Sequence, residues 1–239
     1  MTKKVFLFGY GRHARSIAHN LREDGFRLTI VDSNAAYIAK AREDDFGDVI
    51  HFDVTMDENL ETLRVEPMDR IICLMDDEHL NVFLTLSLRP LFPECQILAI
   101  SGSIYASQKL LMAGADKVID LYEVSANRIH NLLNRPVSTR FLDRIFSDRN
   151  GLNFREIVIP QNSFLDGMEV EDVNFHACGV ILVGIIEKEH GTHFLFITSD
   201  EEHKLASGDQ IVCLGMDEDL SHFEALIKNK KESACVWPS

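Results

Sequence analysis

The sequence predicts an α/β fold, with a Rossmann-type doubly wound parallel sheet, a helix-turn-helix crossover and a smaller C-terminal α+β domain. Three observations support this prediction. Between residues 5 and 119, short apolar or β-branched runs alternate with stretches of helical periodicity, which is typical of βαβ units. A glycine-rich segment follows the first apolar run directly. A polar segment near residue 150 separates this part of the chain from a second group of short strands.

The alternating region contains six strands and the helices that connect them. The helix from Arg12 to Glu23 carries Ile17 and Leu21 on one face, and a second helix from Asp77 to Leu88 is equally amphipathic. Right-handed crossovers through such helices place ligands at the carboxyl ends of the strands. The strands are expected near residues 4–8, 28–32, 48–52, 70–74, 96–100 and 117–119.

The segment from Val124 to Phe146 has apolar residues at helical spacing on both sides of Pro136 and is predicted to form a helix, a turn and a helix. It has two interpretations. The helices could belong to the surface of the first domain, or their exposed apolar faces could dock on another subunit. The apolar residues are Ile129, Leu132, Leu133, Phe141, Leu142, Ile145 and Phe146.

The C-terminal part is predicted to be a compact α+β domain of residues 152–228, after a first domain of residues 1–147 and the polar linker Ser147–Gly151. A terminal helix is expected from Glu218 to Ile227, and the tail after it is expected to fray. The strands are expected at residues 154–159, 179–188, 192–198 and 210–214.

Composition excludes several classes of partner. The formal charge of −14 repels phosphate backbones and anionic lipids, so nucleic acid is not expected as a partner. Five cysteines without a C-x-x-C pair fit a reducing compartment. No apolar run approaches the roughly 20 residues that span a bilayer. The start lacks the h-region of a signal peptide, and we therefore expect a cytoplasmic protein.

The main functional motif is G-x-G-x-x-A, formed by Gly9, Gly11 and Ala14 between the first strand and the first helix. The first glycine permits a tight turn, and the second lets the backbone approach a pyrophosphate at the helix N-terminus. Ala14 allows close helix-to-strand packing, and Arg12 adds a positive charge. Asp32 ends the second strand, where a carboxylate accepts hydrogen bonds from an adenosine ribose. It would also repel a ribose 2′-phosphate, which favours NAD over NADP.

Other patterns carry less weight. Tyr105 and Lys109 have the Tyr-x-x-x-Lys spacing of short-chain dehydrogenases, but Phe92 stands where those enzymes need a serine, so the pair is more simply one turn of a helix. The histidines and cysteine near residues 176–193 do not form a tetrahedral zinc set. His13, beside the glycine-rich turn, could report pH to a bound phosphate. No catalytic residue and no metal ligand is assigned.

Beyond these motifs, the chain resembles the RCK family (regulators of potassium conductance), found in Trk and Ktr subunits and in the gating rings of potassium channels. The resemblance covers about residues 3 to 227. In the first domain it lies in Gly9–Arg12, Gly47–Thr55, Asp77–Asn81 and Leu111–Ile119. In the second domain it lies in Gly167–Val170, Gly179–Ile185 and Ser207–Gly215.

The resemblance implies a cytoplasmic ligand sensor that controls potassium flux, bound to the inner face of the membrane through a channel or transporter subunit. It implies dimers that assemble into a ring, which would be octameric. NAD or NADH is the expected ligand, with ATP, ADP or AMP as the alternative. Calcium ligands found in some channel members are replaced here by Ser101–Ser103. The implied ligand contacts are Gly9, Gly11, Arg12, His13, Ala14, Asp32, Asp53, Val54, Asp77 and Asn81.

Three classes of function are therefore open: a nucleotide-sensing regulator of potassium transport, an NAD-dependent oxidoreductase, and a structural ring subunit with a vestigial cleft. The first is favoured, since the cleft residues are present and an active site is not evident. For Asp53 and Asp77, an alternative to ligand contact is that each carboxylate lies at a helix N-terminus.

Overall fold

The computed structural model describes residues 4–146, 151–188, 194–197 and 203–228. The chain forms two compact units, residues 1–130 and 131–239. This division falls inside a helix, whereas the sequence places the boundary between residues 147 and 152, and that boundary stays a prediction. The predicted linker residues 147–150 and the tail after residue 228 lie outside the described part.

The first unit contains a six-stranded parallel sheet in the order β3-β2-β1-β4-β5-β6. This is the predicted doubly wound topology, and the strand order reverses between β1 and β4, where such folds bind ligands. All six strands lie within two residues of their expected positions. They are β1 (Lys4–Phe8), β2 (Arg27–Asp32), β3 (Asp48–His51), β4 (Arg70–Cys73), β5 (Gln96–Ser101) and β6 (Lys117–Asp120).

Six helices connect or follow these strands. Small or apolar residues at i, i+4 spacing turn towards the sheet, such as Ala14 and Ala18 in the first helix and Leu84 and Leu88 in the fourth, all with no exposed surface. The helices are α1 (Arg12–Glu23), α2 (Ala35–Glu43), α3 (Asp57–Glu61), α4 (Glu78–Leu91), α5 (Ile104–Met112) and α6 (Leu121–Asn134).

Strand β1 shows why both faces of the sheet are covered. Phe6 and Phe8 belong to one buried cluster, together with Leu84 and Leu88 of α4. Val5 and Leu7, which alternate with them, belong to a second cluster on the other face, with Ala14 and Ala18 of α1. Alternate side chains of a strand point to opposite faces, so the continuous apolar run of β1 contributes side chains to the cores on both faces of the sheet.

Helix α7 (Pro136–Ile145) follows α6 after a break at Arg135, and Pro136 stands in its first turn, as the sequence predicts. Leu133 is 77% exposed and Phe141 50% exposed. The inclusion of Ile145 in the exposed apolar set is wrong, because this side chain is 1% exposed. The exposed apolar residues of the two helices are Tyr122, Val124, Ile129, Leu132, Leu133, Val137, Phe141 and Leu142.

The second unit contains a four-stranded antiparallel sheet in the order β7-β10-β8-β9, followed by α8 (Asp217–Lys228). Its core includes Ile157, Ile185, Ile211 and Phe223. The predicted strand at residues 192–198 is shorter than expected within the described residues. The strands are β7 (Leu152–Val158), β8 (Val180–Ile186), β9 (Phe194–Phe196) and β10 (Gln210–Met216).

Candidate functional site

The turn after β1 is held between β2 and β4 by backbone hydrogen bonds. Gly9 has φ of +102°, which favours glycine, and its N–H donates to the Val31 carbonyl at 2.8 Å. On the other side, Leu74 N–H donates to the Phe8 carbonyl at 2.7 Å. A Cβ atom at position 9 would lie 2.6 Å from the Leu74 carbonyl oxygen. Only glycine fits this turn.

Asp32 connects the glycine-rich turn to the end of β2. It is 1% exposed, and its Oδ2 accepts from Tyr10 N–H while its Oδ1 accepts from Asn34 N–H, both at 2.8 Å. Burial raises the pKa of this carboxyl, and the hydrogen bonds from Asn34 and Tyr10 partly offset that effect. A carboxylate accepts about four hydrogen bonds, so Asp32 keeps acceptor capacity for a ribose hydroxyl.

Helix α1 begins without a side-chain cap, at Gly11, and has no acidic residue in its first turn. By contrast, the caps of α2, α4 and α5 are Asn34, Asp77 and Ser103, each of which accepts a hydrogen bond from a backbone N–H. The N–H groups at the start of α1 thus lack an acceptor from a capping side chain. This end of the helix is suited to an anion.

A carboxylate lies beside Gly11. The space that a side chain at position 11 would occupy is filled by the carboxylate of Asp76, which follows β4. The Tyr37 hydroxyl of α2 donates to Asp76 Oδ2 at 2.7 Å. Hydrogen bonding to Asp76 raises the pKa of Tyr37. The second glycine of the motif therefore makes room for a side chain of the protein itself in this structure.

An open cleft of about 390 Å³ lies at the carboxyl ends of the strands, and its lining includes Tyr37 and Asp76 but not Gly9, Gly11 or Asp32. Two exposed candidates, Arg12 and His13, face it from the start of α1. Asn81 lines the cleft from α4, while Ala14 is buried under α1 and packs against the sheet. The lining residues are Arg12, His13, Tyr37, Met75, Asp76, Glu78, Asn81, Ile100, Ser101, Gly102 and Leu121.

Of the ten predicted contacts, only Arg12, His13 and Asn81 line this cleft, and three of the others have local structural roles. Asp53 Oδ1 accepts from the N–H and the hydroxyl of Thr55, at 2.9 and 2.7 Å, and these bonds lower its pKa. Val54 has no exposed surface and lies in the core. Asp77 caps α4 by accepting from His79 N–H at 2.8 Å. Ligand contact by these three residues stays a prediction.

Asn81 joins the ends of two strands from inside the cleft wall. Its Oδ1 accepts from Met75 N–H at 2.8 Å, and its Nδ2 donates to the Met75 carbonyl at 3.0 Å and to the Ile100 carbonyl at 3.4 Å. The residue is 1% exposed. The three hydrogen bonds of its side chain all go to the backbone, so its first role is to fix the cleft wall.

Sequence reasoning did not assign several polar residues of the cleft. Glu78 accepts from Gly102 N–H at 2.9 Å and from the Ser103 hydroxyl at 3.1 Å, and so fixes the loop after β5. Ser101 shares a 2.6 Å hydrogen bond with Ser107. Glu78 belongs to an acidic run that is typical of solvated surfaces, and Tyr37 has no motif around it. The only indication in the sequence that they lie at the cleft is that Tyr37 follows β2 and Glu78 follows β4.

The alternative chemical patterns are not assembled around the cleft. Tyr105 is 78% exposed on α5, and neither it nor Lys109 lines the cleft. Among the described residues, no group of three His, Cys, Asp or Glu side chains could hold a metal ion. His190 and His193 lie outside the described residues. Cys73, Cys95 and Cys213 are free and buried.

No helix within the described ranges is long and apolar enough to cross a membrane.

Comparison with known proteins identifies both halves of the chain. The family model of the TrkA-N domain matches residues 5–121, and that of the TrkA-C domain matches residues 154–228. Probable potassium channel protein 2 of Methanocaldococcus jannaschii is 28% identical over 233 residues, covering 94% of this chain and 66% of that protein. Potassium channel protein 1 of the same organism is 25% identical over 230 residues, covering 95% of this chain and 68% of that protein.

Among solved structures, the human SLO3 gating ring covers 92% of this chain with a TM-score of 0.62 and 16% identity, which shows a shared fold. This chain covers 46% of that structure. It also spans about two thirds of the length of the two channel proteins. The similarity therefore extends over both units of this chain but over only part of each relative.

Proposed function

The chain belongs to the family that combines a TrkA-N with a TrkA-C (RCK) domain, and on that premise we propose that it is a ligand-sensing regulatory unit of potassium transport. The two methanogen relatives carry the name of potassium channel proteins and match almost the whole of this chain. In the proposed arrangement, the protein is a gating-ring component on the cytoplasmic side of a membrane channel or transporter subunit. Its N-terminal domain binds NAD(H) or another adenine nucleotide.

The observation that carries the nucleotide assignment is the pairing of Gly9 and Gly11 with Asp32. The uncapped start of α1 offers backbone N–H groups to a pyrophosphate, and Arg12 and His13 stand exposed beside it. Asp32 lies at the end of the adjacent strand and is bonded to the turn itself. This is the arrangement that holds the ribose and phosphates of a dinucleotide in Rossmann-type domains.

The charge of Asp32 favours NAD over NADP, since a buried carboxylate repels a ribose 2′-phosphate. AMP, ADP and ATP share the adenosine and phosphate groups, and they are the alternative ligands. In each case Asp32 accepts from the ribose, and the start of α1 faces the phosphates.

The test begins with a thermal-shift screen of NAD, NADH, ATP and ADP, followed by calorimetry of the ligands that raise the melting temperature. Replacing Asp32 with Ala should weaken their binding by about 1.5–3 kcal/mol, because a charge-assisted hydrogen bond to the ribose is lost. Asp48→Ala is the matched control, since Asp48 is an exposed carboxylate at the amino end of β3. Unchanged nucleotide affinity in Asp32→Ala would contradict the assignment.

A specific observation also favours the vestigial-cleft alternative, in which the chain is a structural ring subunit. Asp76 fills the space beside Gly11 where a pyrophosphate would lie. If the cleft is vestigial, none of NAD, NADH, ATP and ADP should raise the melting temperature. The oxidoreductase alternative lacks a comparable observation, because Tyr105 and Lys109 are outside the cleft. Sustained nicotinamide turnover that is abolished by Tyr105→Phe would support it nonetheless.

Assembly is the second part of the proposal. We expect α6 and α7 to pair two copies of the chain, and the dimers to form a ring that is octameric by resemblance. Burial of Leu133 and Phe141 against a partner would contribute about 1.5–3 kcal/mol per side chain. A ligand could then shift the angle between paired copies through its differential affinity for two geometries.

Light scattering with and without nucleotide tests this pairing in the wild type and in the double variant Leu133→Asp, Phe141→Asp. We expect the wild type to form dimers or larger rings and the double variant to be monomeric. The matched control is Met56→Asp, Met68→Asp, which places the same charges on other exposed apolar positions. A monomeric wild type at tens of micromolar, or a double variant that assembles normally, would contradict the interface.

A further inference from the structure

Asp76 differs from the two acidic residues that follow it. Asp77 caps α4, and both carboxylate oxygens of Glu78 accept hydrogen bonds from the loop after β5. Asp76 instead lies with its carboxylate beside Gly11 and accepts from Tyr37. Its side chain is therefore held over the glycine-rich turn by a residue of α2, and it has no role in capping its own helix.

The only side-chain hydrogen bond of Asp76 among the described residues comes from Tyr37. Its partner is a neutral hydroxyl, and within the described residues no Lys, Arg or His forms an ion pair with it. It lies close enough to Asp32 for its charge to contribute to the raised pKa of that residue. An anion that approaches Gly11 therefore meets a fixed carboxylate in the space that the glycine leaves open.

We propose that Asp76, held by Tyr37, is a latch over the glycine-rich turn that makes this site discriminate between nucleotides by their phosphate charge. The inference rests on the proposed nucleotide-binding function and deepens it. A bound pyrophosphate must displace the carboxylate from Gly11 and break the hydrogen bond to Tyr37. The electrostatic cost of sharing the site with Asp76 increases with the charge of the phosphates. The latch therefore favours NADH over ADP, and ADP over ATP.

Calorimetry of the whole chain with adenosine, NADH, ADP and ATP, at low ionic strength and without divalent ions, tests the latch. The variant Asp76→Asn keeps the shape of the side chain and its acceptor for Tyr37, but removes the charge. We expect it to bind ATP on the order of tenfold more tightly, with smaller gains for ADP and NADH. Adenosine carries no phosphate, and its affinity should not change.

Two further variants separate a latch from a general charge effect. Asp48→Asn removes the same charge from an exposed position at the amino end of β3, away from the cleft, so its affinities should stay close to those of the wild type. Tyr37→Phe removes only the hydroxyl that holds Asp76. It should raise ATP affinity less than Asp76→Asn does, because the released carboxylate remains charged.

The outcomes are distinct. Tighter binding of ATP by Asp76→Asn, graded with phosphate charge, supports the latch. A wild type that binds nucleotides while Asp76→Asn binds them equally or more weakly overturns the latch and leaves the proposed function standing. Absence of binding by the wild type and by every variant overturns both.

Discussion

The two sides of the cleft are built in different ways, although both lie at the carboxyl ends of strands in one sheet. On the side of β1 and β2, the backbone itself forms the site: Gly9 turns tightly, α1 starts without a cap, and Asp32 fixes the turn. On the side of β4 and β5, the polar side chains of Asn81 and Glu78 bond to the backbone around them.

This difference indicates what each side does. Backbone donors at the start of α1 have no side-chain acceptor, so that side can receive a ligand. The side chains of Asn81 and Glu78 form hydrogen bonds within the protein, to the backbone and to Ser103, so the other side holds the cleft open. Substitutions should therefore separate into those that change the affinity for nucleotides and those that change stability, and the following predictions test that separation.

The largest effect on stability is expected for Gly9→Ala. A methyl group there would lie 2.6 Å from the Leu74 carbonyl oxygen, on a residue with φ of +102°. We expect the free energy of unfolding to fall by about 3–4 kcal/mol, from backbone strain and the steric contact together. Urea denaturation measures this loss.

Gly25→Ala is the matched control, because Gly25 also has a positive φ, of +81°, but no atom lies within 4 Å of the added methyl group. It should lose only about 1 kcal/mol, from the strain of a positive φ. Equal losses of unfolding free energy in Gly9→Ala and Gly25→Ala would show that the close approach of the turn to the end of β4 contributes nothing to the effect at Gly9.

A smaller loss of stability is expected for Asn81→Ala on the opposite side. It leaves the Met75 N–H and two buried carbonyls without their partner, which should lower the free energy of unfolding by about 2–3 kcal/mol. The folded fraction should keep its nucleotide affinity within about threefold, because the three hydrogen bonds of the Asn81 side chain all go to the backbone.

Asn59→Ala is the control for this variant, since Asn59 makes a single exposed side-chain hydrogen bond, to the Asp53 carbonyl. Its effect on stability should be below about 0.5 kcal/mol. If Asn81→Ala instead abolished binding in a protein of normal stability, Asn81 would be a ligand contact and the contrast between the two sides would fail.

The sequence predicts the side of the cleft at β1 and β2 better than the side at β4 and β5. The motif can be identified from the sequence because the turn geometry allows few other residues at its positions, which are Gly9, Gly11, Ala14 and Asp32. The positions of the six strands can also be predicted from the sequence, because each strand is a short apolar or β-branched run between helical segments. Both predictions depend on local pattern and fixed spacing.

Contacts between segments that are far apart in sequence cannot be predicted from local patterns. The hydrogen bond between Tyr37 and Asp76 joins residues 39 positions apart, and nothing in either segment signals the other. Ile145 has the same apolar spacing as its exposed neighbours on α7, yet it is buried. Periodicity identifies the apolar residues of a helix, but only the packing shows which of them face solvent.

The central claim is that an adenine nucleotide binds at the glycine-rich turn, and the most direct measurement is calorimetry of NADH and ADP with wild type, Gly11→Ala and Gly47→Ala. A methyl group at position 11 would meet the Asp76 carboxylate beside the start of α1, whereas one at Gly47 meets no atom within 4 Å. We predict equal binding by the wild type and Gly47→Ala, and affinity at least about tenfold weaker in Gly11→Ala, because the backbone can no longer approach the pyrophosphate. Unchanged affinity in Gly11→Ala, or a wild type that binds neither ligand, would contradict the claim.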